Sequence, residues 1–309
     1  MELRHLRYFT AAADEEHFGR AAERLFVTRP AVSQTISDLE AELGVQLFIR
    51  HAHKVALTAS GTALLKHSRN LLQDLSQAVE LTKRIGQGKA GLLTIGYGSL
   101  SLLHPLFRAA VKQLGADYRD IELSLLEKPS SEQIPALHAG KLDAGFVVIA
   151  KDPHARSTKT SEITSLGDLN SLKIAEGGTA VALPPDHPLA GREWLELTEL
   201  AHESFIVVPH STVSPSYGML HSMCTELGFE PRVVQEVSNV ATQLNLVSVG
   251  IGVGLVFGLS ELQYPSSVRV VPLRNIDYNS QFCLVWRRGT LEPSLQNFIE
   301  IVRNFARAN

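Results

Sequence analysis

The sequence predicts an α/β protein in three parts: a winged helix-turn-helix, a long helix, and a larger region of alternating strands and helices. Three observations predict this fold class. Small residues lead into a tight turn, and a second helix opened by a hydroxyl and a proline follows within 21–34. The stretch 60–87 contains no proline and little glycine. After Gly91, short apolar runs alternate with amphipathic segments.

The spacing of apolar residues predicts three N-terminal helices. The first has one apolar stripe, the second covers roughly 19–25, and the third begins after Thr28 and ends at Gly44. Thr28 is suited to cap the third helix, and Pro30 falls in its first turn, where a missing N–H costs nothing. The stripe residues are Leu3, Leu6, Phe9 and Ala13 in the first helix and Val32, Ile36, Leu39 and Leu43 in the third.

The buried stripe of the third helix leaves a polar face open near its N-terminus. A helix N-terminus carries free N–H groups and partial positive charge, which suit phosphate. Arg, Gln and Ser side chains read base edges, so the face predicts contact with duplex DNA. The solvated face of an ordinary three-helix bundle is the alternative. The predicted contacts on this face are Thr28, Arg29, Pro30, Ser33, Gln34 and Ser37.

Two short β-type runs at 47–50 and 55–58 predict a hairpin, or wing, with a basic turn between them. Its tip would reach the sugar-phosphate backbone of DNA through Arg50, His53 and Lys54. His51 and His53 have no third metal ligand nearby, so we interpret them as polar turn residues and predict no metal site.

A heptad seam runs along the predicted long helix. Its apolar stripe must be buried, either on its own domain or against the same helix of a second copy. We favour a homodimer, because a DNA reader gains from pairing two half-sites. Gly88 and Gly91 then supply a flexible joint. The seam residues are Leu64, Ser68, Leu71, Leu75, Ala78, Thr82 and Ile85.

The region after Gly91 predicts a mainly parallel sheet with helices on both faces, because strands and helices alternate along the chain. The expected strands cover 92–98, 121–127, 144–149, 172–181, 204–208, 233–237, 253–257, 268–273 and 281–287. The expected helices cover 104–114, 131–139, 217–227, 242–249 and 294–306.

Composition limits the possible functions. The formal net charge is −3, but residues 1–89 hold 12 Lys and Arg against 10 Asp and Glu, a net charge of +2. DNA affinity must therefore come from site geometry and from pairing of two copies more than from bulk charge.

The two cysteines, Cys224 and Cys283, exclude a disulfide scaffold and are expected to be buried thiols; a redox switch between them is the alternative. With no export leader and no run long enough to span a bilayer, we expect a cytoplasmic protein without membrane contact.

An enzyme is the main alternative class of protein. The segment Gly250-Ile251-Gly252-Val253-Gly254 resembles a dinucleotide loop, but Leu255 stands where the third glycine is required. No G-x-S-x-G elbow or clustered His and Cys set accompanies it. We therefore expect neither catalysis nor a cofactor. The winged segment and the missing leader disfavour a stand-alone solute-binding protein.

The segment from Met1 to about Gly61 resembles the DNA-binding domain of LysR-type transcriptional regulators. Two departures from the family pattern matter, because Arg29 stands where Gln is usual and Gln34 where Arg is frequent. Base preference therefore cannot be carried over from relatives. The matching motifs are Arg20-Ala21-Ala22-Glu23-Arg24-Leu25, Pro30-Ala31-Val32-Ser33, Leu43-Gly44-Val45-Gln46-Leu47-Phe48 and Leu57-Thr58-Ala59-Ser60-Gly61.

The C-terminal region is similar to the effector-binding region of the same family, through motifs such as Leu137-His138-Ala139-Gly140-Lys141-Leu142-Asp143 and Phe205-Ile206-Val207-Val208-Pro209. The resemblance implies a two-lobed fold like that of periplasmic binding proteins. It implies a DNA-binding domain at 1–59, a linker helix at 60–88 and an effector domain at 89–309. Lobe I would hold 89–161 and 268–309 and lobe II 162–267, with crossings near 161–164 and 265–268.

A two-lobed α/β domain binds small molecules in the cleft at the carboxyl ends of its strands. There, hydroxyls and helix N–H groups would hold a carboxylate, and Lys128 would pair with an acidic effector. A plain helix cap for Ser99, a surface position for Lys128 and core positions for the phenylalanines are the alternatives. The predicted effector-site residues are Ser99, Leu100, Ser101, Lys128, Phe146, Val147, Phe205, Pro209 and His210.

These expectations combine into one hypothesis for the mechanism. Paired N-terminal domains read a partly symmetric operator, and the resemblance implies that two dimers join into a homotetramer. A small effector changes the subunit geometry, and with it DNA bending and contact with RNA polymerase. An effector-independent regulator of the same fold is the alternative.

Overall fold

The computed structural model describes residues 1–51, 54–151, 166–208, 216–259, 261–276 and 279–308. The chain divides into two compact units, Met1–Arg84 and Ile85–Asn309. Each unit has its own hydrophobic core. Among the described residues, no helix combines the length and the apolar character that crossing a membrane requires.

Three helices form the first part of unit 1: α1 (Leu3–Glu15), α2 (Phe18–Arg24) and α3 (Arg29–Leu43). They pack around a fully buried centre that includes Phe9, Ile36 and Leu39. The apolar stripes predicted for α1 and α3 each include one terminal residue that is not buried. Leu3 is 48% exposed and Leu43 is 39% exposed, because both lie in terminal turns beyond the reach of the neighbouring helices.

A two-stranded antiparallel hairpin follows α3, built from β1 (Phe48–Arg50) and β2 (Val55–Leu57). Phe48 lies opposite Leu57 and inserts between Phe9 and Phe18, with ring centroids 5.5 Å from each. The edge-to-face stacking of these rings attaches the hairpin to the helical core.

A single long helix, α4 (Ala59–Gly86), forms the last part of unit 1, and its final two residues belong to unit 2. It is tied to α1 by an ion pair between Arg69 and Asp14. Partial burial raises the pKa of Asp14, but hydrogen bonds from Arg69 and Arg24 outweigh burial and lower the pKa overall. Ser68 is buried, whereas most of the helix beyond it is exposed.

Unit 2 contains strands and helices in alternation. The strands are β3 (Ala90–Tyr97), β4 (Asp120–Glu127), β5 (Ala144–Lys151), β6 (Leu169–Leu183), β7 (Ser204–Val207), β8 (Arg232–Glu236), β9 (Gly254–Gly258), β10 (Arg269–Pro272) and β11 (Asn279–Arg287). The helices are α5 (Pro105–Asp117), α6 (Ser130–His138), α7 (Ser216–Glu226), α8 (Val240–Ser248) and α9 (Pro293–Ala308). Short 3₁₀ helices cover Ser99–Leu103 and Leu197–Leu200. The predicted element ends differ from these by at most three residues.

The prediction of a mainly parallel sheet is wrong. In the described part of unit 2, the order of the seven-stranded sheet is β10-β6-β11-β5-β3-β4, with β9 also paired to β6. Among the described strands of this sheet, the parallel pairs are β3 with β4 and β3 with β5. Strands β6 and β11 pair antiparallel with all their neighbours. The last strand, β11, inserts between β5 and β6, and this long-range pairing leaves no local pattern in the sequence. A separate parallel pair joins β7 and β8.

Strand β6 carries the chain from one lobe to the other. Its first part pairs with β11 up to Gly177, and its second part pairs with β9 and β10 from Gly178 onward. The predicted first crossing, at 161–164, lies outside the described residues, and β6 still belongs to the first lobe after it. The predicted return at 265–268 is also too early, because β10 pairs only with the second part of β6. The return falls after Leu273, which packs in the core of the second lobe, and before Asn279.

Candidate nucleic-acid interface and ligand cavity

The N-terminus of α3 forms an open surface in unit 1. The Thr28 hydroxyl accepts a hydrogen bond from the Ala31 N–H at 3.4 Å, and Pro30 occupies the first turn. Thr28, Arg29 and Pro30 are all exposed. The cap therefore satisfies one N–H of the first turn and leaves the helix start facing solvent, as an anion-binding helix end requires.

The predicted reading face continues along α3. Gln34 is exposed and its amide donates to the Asp38 carboxylate at 2.8 Å, while Ser33 and Ser37 are half-buried. Within the described part of the chain, the side chains of Arg29 and Ser33 make no hydrogen bond or ion pair. Both remain available to a partner, and Arg29 brings a positive charge to this face.

Arg50 connects the hairpin to α3. Its guanidinium donates to the Ser37 hydroxyl and to the Glu40 carboxylate, each at 3.1 Å, and lies 5.5 Å from the centroid of the Phe18 ring. Glu40 is buried, and its other oxygen accepts from the backbone N–H of Leu47 at 2.8 Å and of Phe48 at 3.1 Å. One carboxylate thus holds both the start of the wing and its arginine.

The structure brings most of the predicted DNA-contact residues together. Ser37 and Arg50 touch each other, and Lys54 is exposed at the end of the wing turn, where its carbonyl accepts from the His51 N–H at 2.9 Å. His53 lies outside the described residues. Arg50 is engaged within the protein, and its bonds to Ser37 and Glu40 position the wing against α3.

Sequence reasoning missed Glu40, although a signal was present. Glu40 lies four residues after the buried Ile36, so it falls on the core face of α3. An acid on an apolar stripe predicts a buried partner, because a buried carboxylate must be hydrogen-bonded.

We expect Arg29→Gln to change the base preference of the protein with little effect on its folding. Arg29 is exposed and makes no side-chain hydrogen bond within the described residues, so its loss costs the free protein almost nothing, whereas glutamine prefers adenine where arginine prefers guanine. In vitro selection of binding sites with both proteins measures the preference. Identical selected sequences from the two proteins would contradict a base-reading role.

Unit 2 contains a cavity of about 290 Å³ between its two lobes. One lobe contributes the ends of β3 and β4 and the middle of β5, and the other contributes β9 and the start of α8. Both walls meet at the crossing point of β6, where Gly178 and Thr179 line the cavity. The cavity therefore lies at the carboxyl ends of the parallel strands, as expected for an α/β ligand site.

Five of the predicted effector-site residues line this cavity: Ser99, Leu100, Ser101, Lys128 and Phe146. Val147 does not line it. It points to the opposite face of β5 and packs in a core cluster with Leu137 and Val285, because successive residues of a strand face opposite sides. Phe205 is fully buried in the core of the other lobe, and Pro209 and His210 lie outside the described residues.

Helix starts surround the cavity. The 3₁₀ helix begins at Ser99, α6 begins at Ser130, and α8 begins after Asn239, whose side chain accepts from the Thr242 N–H at 2.9 Å. Ser99, Ser130 and Asn239 all line the cavity. Several helix N-termini directed at one space favour a bound negative charge.

The cavity wall carries a positive and a negative side chain that pair with each other. The Lys128 ammonium lies 3.3 Å from the carboxylate of Glu132, four residues further along the chain, and both residues line the cavity. The side chain of Lys128 is 36% exposed and that of Glu132 is 59% exposed, so water screens the pair and it contributes little to stability.

Two buried glutamines fasten the helix starts to the sheets, and sequence reasoning missed both. The Gln133 amide donates to the carbonyls of Lys128 at 2.8 Å and Phe146 at 3.1 Å. In the other lobe, the Gln243 amide donates to the Ile206 carbonyl at 2.7 Å. Each glutamine is the fourth residue of its helix, so the two lobes position their helix starts in the same way.

The cysteines lie in the two lobes and are buried. Burial and, secondarily, the nearby charge of Glu230 raise the pKa of the Cys224 thiol to about 11, which leaves it protonated and unreactive near neutral pH. The described residues hold no group of three or more His, Cys, Asp or Glu side chains placed to bind a metal ion.

Two family models match the chain. Residues 3–62 match the model described as "Bacterial regulatory helix-turn-helix protein, lysR family", and residues 86–307 match "LysR substrate binding domain". Among the relatives, the HTH-type transcriptional regulator AlsR of Bacillus subtilis (strain 168) is 32% identical over 302 residues, covering 97% of this chain and 95% of AlsR. The HTH-type transcriptional regulator CatR of Pseudomonas putida is 33% identical over 303 residues, covering 98% of each chain.

The chain therefore belongs to the LysR family of DNA-binding transcriptional regulators, with a helix-turn-helix domain and an effector-binding domain. This confirms the predicted family and the prediction that the chain is a regulator and not an enzyme.

Solved structures share the fold along the whole chain. The full-length CbnR in complex with its target DNA superposes with a TM-score of 0.73, covering 99% of this chain and 100% of CbnR; at 22% identity this similarity shows the fold alone. Full-length BenM is 27% identical with a TM-score of 0.55, covering 100% of this chain and 97% of BenM. The predicted fold class is thereby confirmed: an N-terminal helix-turn-helix, a long helix and an α/β effector domain.

Proposed function

We propose that this regulator binds a partly symmetric operator and that a small acidic effector in the interlobe cavity alters this binding. The observation that carries the proposal is the cavity itself, which is lined by helix starts from both lobes and by Lys128. A ligand that touches both walls binds one arrangement of the lobes better than another. Only such a difference in affinity can shift the equilibrium between two states.

The proposed DNA-binding domain covers 1–59, with 60–88 as the dimerisation helix and 89–309 as the effector domain. The start of α3 would enter the major groove, while Lys54 and His53 of the wing would meet the phosphate backbone. CbnR has been solved in complex with its target DNA, and the shared fold supports this placement of unit 1. The proposed base-reading and backbone contacts remain Thr28, Arg29, Pro30, Ser33, Gln34, Ser37 and Arg50.

The proposed active form is a homodimer paired through α4, and two dimers would join into a homotetramer. Within one chain, Leu71 is 55% exposed and Ile85 is 43% exposed, although both fall on the predicted heptad seam. An apolar stripe of this length needs a partner, and a second copy of α4 provides a matching one. Effector binding would change the geometry of the assembly and its contact with RNA polymerase.

The lobes are connected in a way that permits such a change. At the crossing point of β6, a side chain on Gly177 would place its Cβ 2.6 Å from the Gly258 carbonyl oxygen. The missing side chain allows β6 and its antiparallel partner β9 to lie close together at this point. A small rotation about this point would open or close the cavity between the lobes.

We expect Lys128→Ala to abolish or strongly weaken the response to an acidic effector while operator binding without effector is retained. The change removes the cation on the cavity wall, and Lys128 belongs to unit 2, whereas the proposed DNA contacts all belong to unit 1. Operator affinity with and without a carboxylate ligand found by screening measures the response. A normal response by the variant would contradict the proposed role of Lys128.

Two matched variants sharpen this test. Lys141→Ala removes an exposed lysine of the same lobe that does not line the cavity, and the response should be unchanged. Glu132→Gln removes the carboxylate that competes for Lys128, and the acidic effector should bind more tightly.

A thermal-shift screen of small carboxylic acids and neutral metabolites against the full-length protein tests the proposed function. A ligand that binds the folded protein raises its unfolding temperature in a concentration-dependent manner. DNA footprinting with each hit then shows whether the ligand moves the protein on its operator. We expect at least one acid to do both; stabilisation by neutral metabolites alone, or a footprint that no hit alters, would contradict the proposal.

A further inference from the structure

The turn between α2 and α3 contains an aromatic residue in an unusual backbone conformation. The Val27 N–H donates to the Ala22 carbonyl at 2.9 Å and the Phe26 N–H donates to the Glu23 carbonyl at 3.1 Å. This pair of bonds is a Schellman motif, which places Phe26 at the position that glycine usually occupies. Phe26 has a φ of 55°, in the left-handed region.

Phenylalanine is a poor choice for this position in the free protein. An L side chain in the left-handed region is strained, and glycine or asparagine relieves the strain. The side chain of Phe26 is 96% exposed, so no packing within the described chain compensates for it. The other non-glycine residues described with positive φ are Glu16 and Asn275, both polar. A residue that breaks a local rule without internal compensation points to a contact made outside the chain.

The position of Phe26 indicates what that contact is. It precedes the cap Thr28 by two residues, and the exposed Arg29 and Pro30 follow directly. The ring therefore borders the face of α3 that we place in the major groove. The chemistry available there to an apolar ring is the thymine methyl group and the adjoining deoxyribose.

We propose that Phe26 makes an apolar contact with operator DNA beside the start of α3, and that this contact contributes to affinity and to sequence preference. The inference rests on the proposed placement of α3 in the groove. Unlike Arg29 or Lys54, Phe26 brings no charge, so its contribution does not depend on counterion release.

Phe26→Asn in the full-length protein tests the contact. Asparagine tolerates the left-handed conformation, so the unfolding temperature should be equal to or above that of the wild type. The dissociation constant for a duplex recovered by in vitro selection with the wild-type protein should rise by at least about tenfold, as expected for losing part of a buried ring. The slope of log affinity against log salt should stay the same, because no phosphate contact is lost. Phe26→Tyr keeps the ring and should bind nearly as the wild type does.

Replacing single thymines of the selected duplex by uracil removes their methyl groups, and so distinguishes contact with a thymine methyl from contact with deoxyribose. If the ring meets a thymine methyl, one such replacement weakens wild-type binding but not that of Phe26→Asn. If the ring meets deoxyribose, no replacement matters, and Phe26→Asn still binds weakly. Unchanged affinity of Phe26→Asn, or a clear loss of its thermal stability, would overturn the inference. Failure of the wild-type protein to select any duplex would instead overturn the proposed function.

Discussion

Leu71→Glu is expected to convert the protein into a monomer and to lower its affinity for operator DNA by more than about 100-fold, because two half-sites are no longer bound together. Leu71 lies on the predicted heptad seam of α4 and is 55% exposed in the single chain. The substitution therefore leaves the fold of one chain intact. In a dimer, it buries two carboxylates of like charge in an apolar seam.

Gln73→Glu is the matched control for this substitution. It adds the same charge to an exposed position on the other side of α4 and should leave the dimer and the DNA affinity unchanged. Sedimentation velocity measures the assembly, and fluorescence anisotropy with a labelled operator measures binding. A Leu71→Glu protein that stays dimeric would show that α4 does not form the interface.

The second large effect is expected from Glu40→Ala, which should destabilise unit 1 by about 3 kcal/mol. The substitution leaves the N–H groups of Leu47 and Phe48 without their acceptor, and it frees Arg50 from α3. The wing then loses its attachment, so DNA affinity should fall together with stability. Thermal or chemical unfolding of the full-length protein, followed through unit 1, measures the loss.

Glu42→Ala provides the control on the same helix. Glu42 is exposed and pairs with the amino terminus of Met1, and exposed ion pairs contribute about 1 kcal/mol or less. This variant should remain close to the wild type in stability and in DNA affinity. If Glu40→Ala is no more damaging than Glu42→Ala, the carboxylate is not what anchors the wing.

The elements of unit 1 could be predicted from the sequence because the signals are local. The cap at Thr28, the proline after it and the spacing of Val32, Ile36 and Leu39 are all read within a few turns of helix. The errors at Leu3 and Leu43 have a simple cause. Periodicity shows which face of a helix is apolar, but not how far along that face the neighbouring helices reach.

The architecture of unit 2 was harder to predict because its deciding contacts join distant parts of the chain. Strand β11 pairs with β5 and β6, more than 100 residues before it in sequence, and no pattern in 279–287 indicates this. The lobe boundary was hidden for a related reason. Strand β6 runs unbroken through Gly177 and Gly178, so the chain changes lobes inside a strand rather than in a loop.

The residues that line the cavity also divide into those that local sequence predicts and those that depend on contacts between distant parts of the chain. The residues that follow strand ends, such as Ser99 and Lys128, were predicted because parallel strands place their carboxyl ends at one edge of the sheet. Val147 could have been set aside from the sequence, since it alternates with Phe146 along one strand. Lining residues such as Thr179 and Asn239 depend on how the lobes meet, which the sequence does not show.

Selection of duplexes from a random-sequence library by the full-length protein, at about physiological salt, tests most directly whether α3 reads operator DNA. We expect enrichment of a motif with two related half-sites about one helical turn or a multiple of it apart. An Arg29→Gln protein should enrich a different motif. Retention of DNA without any enriched sequence, or no retention even at low salt, would contradict the account.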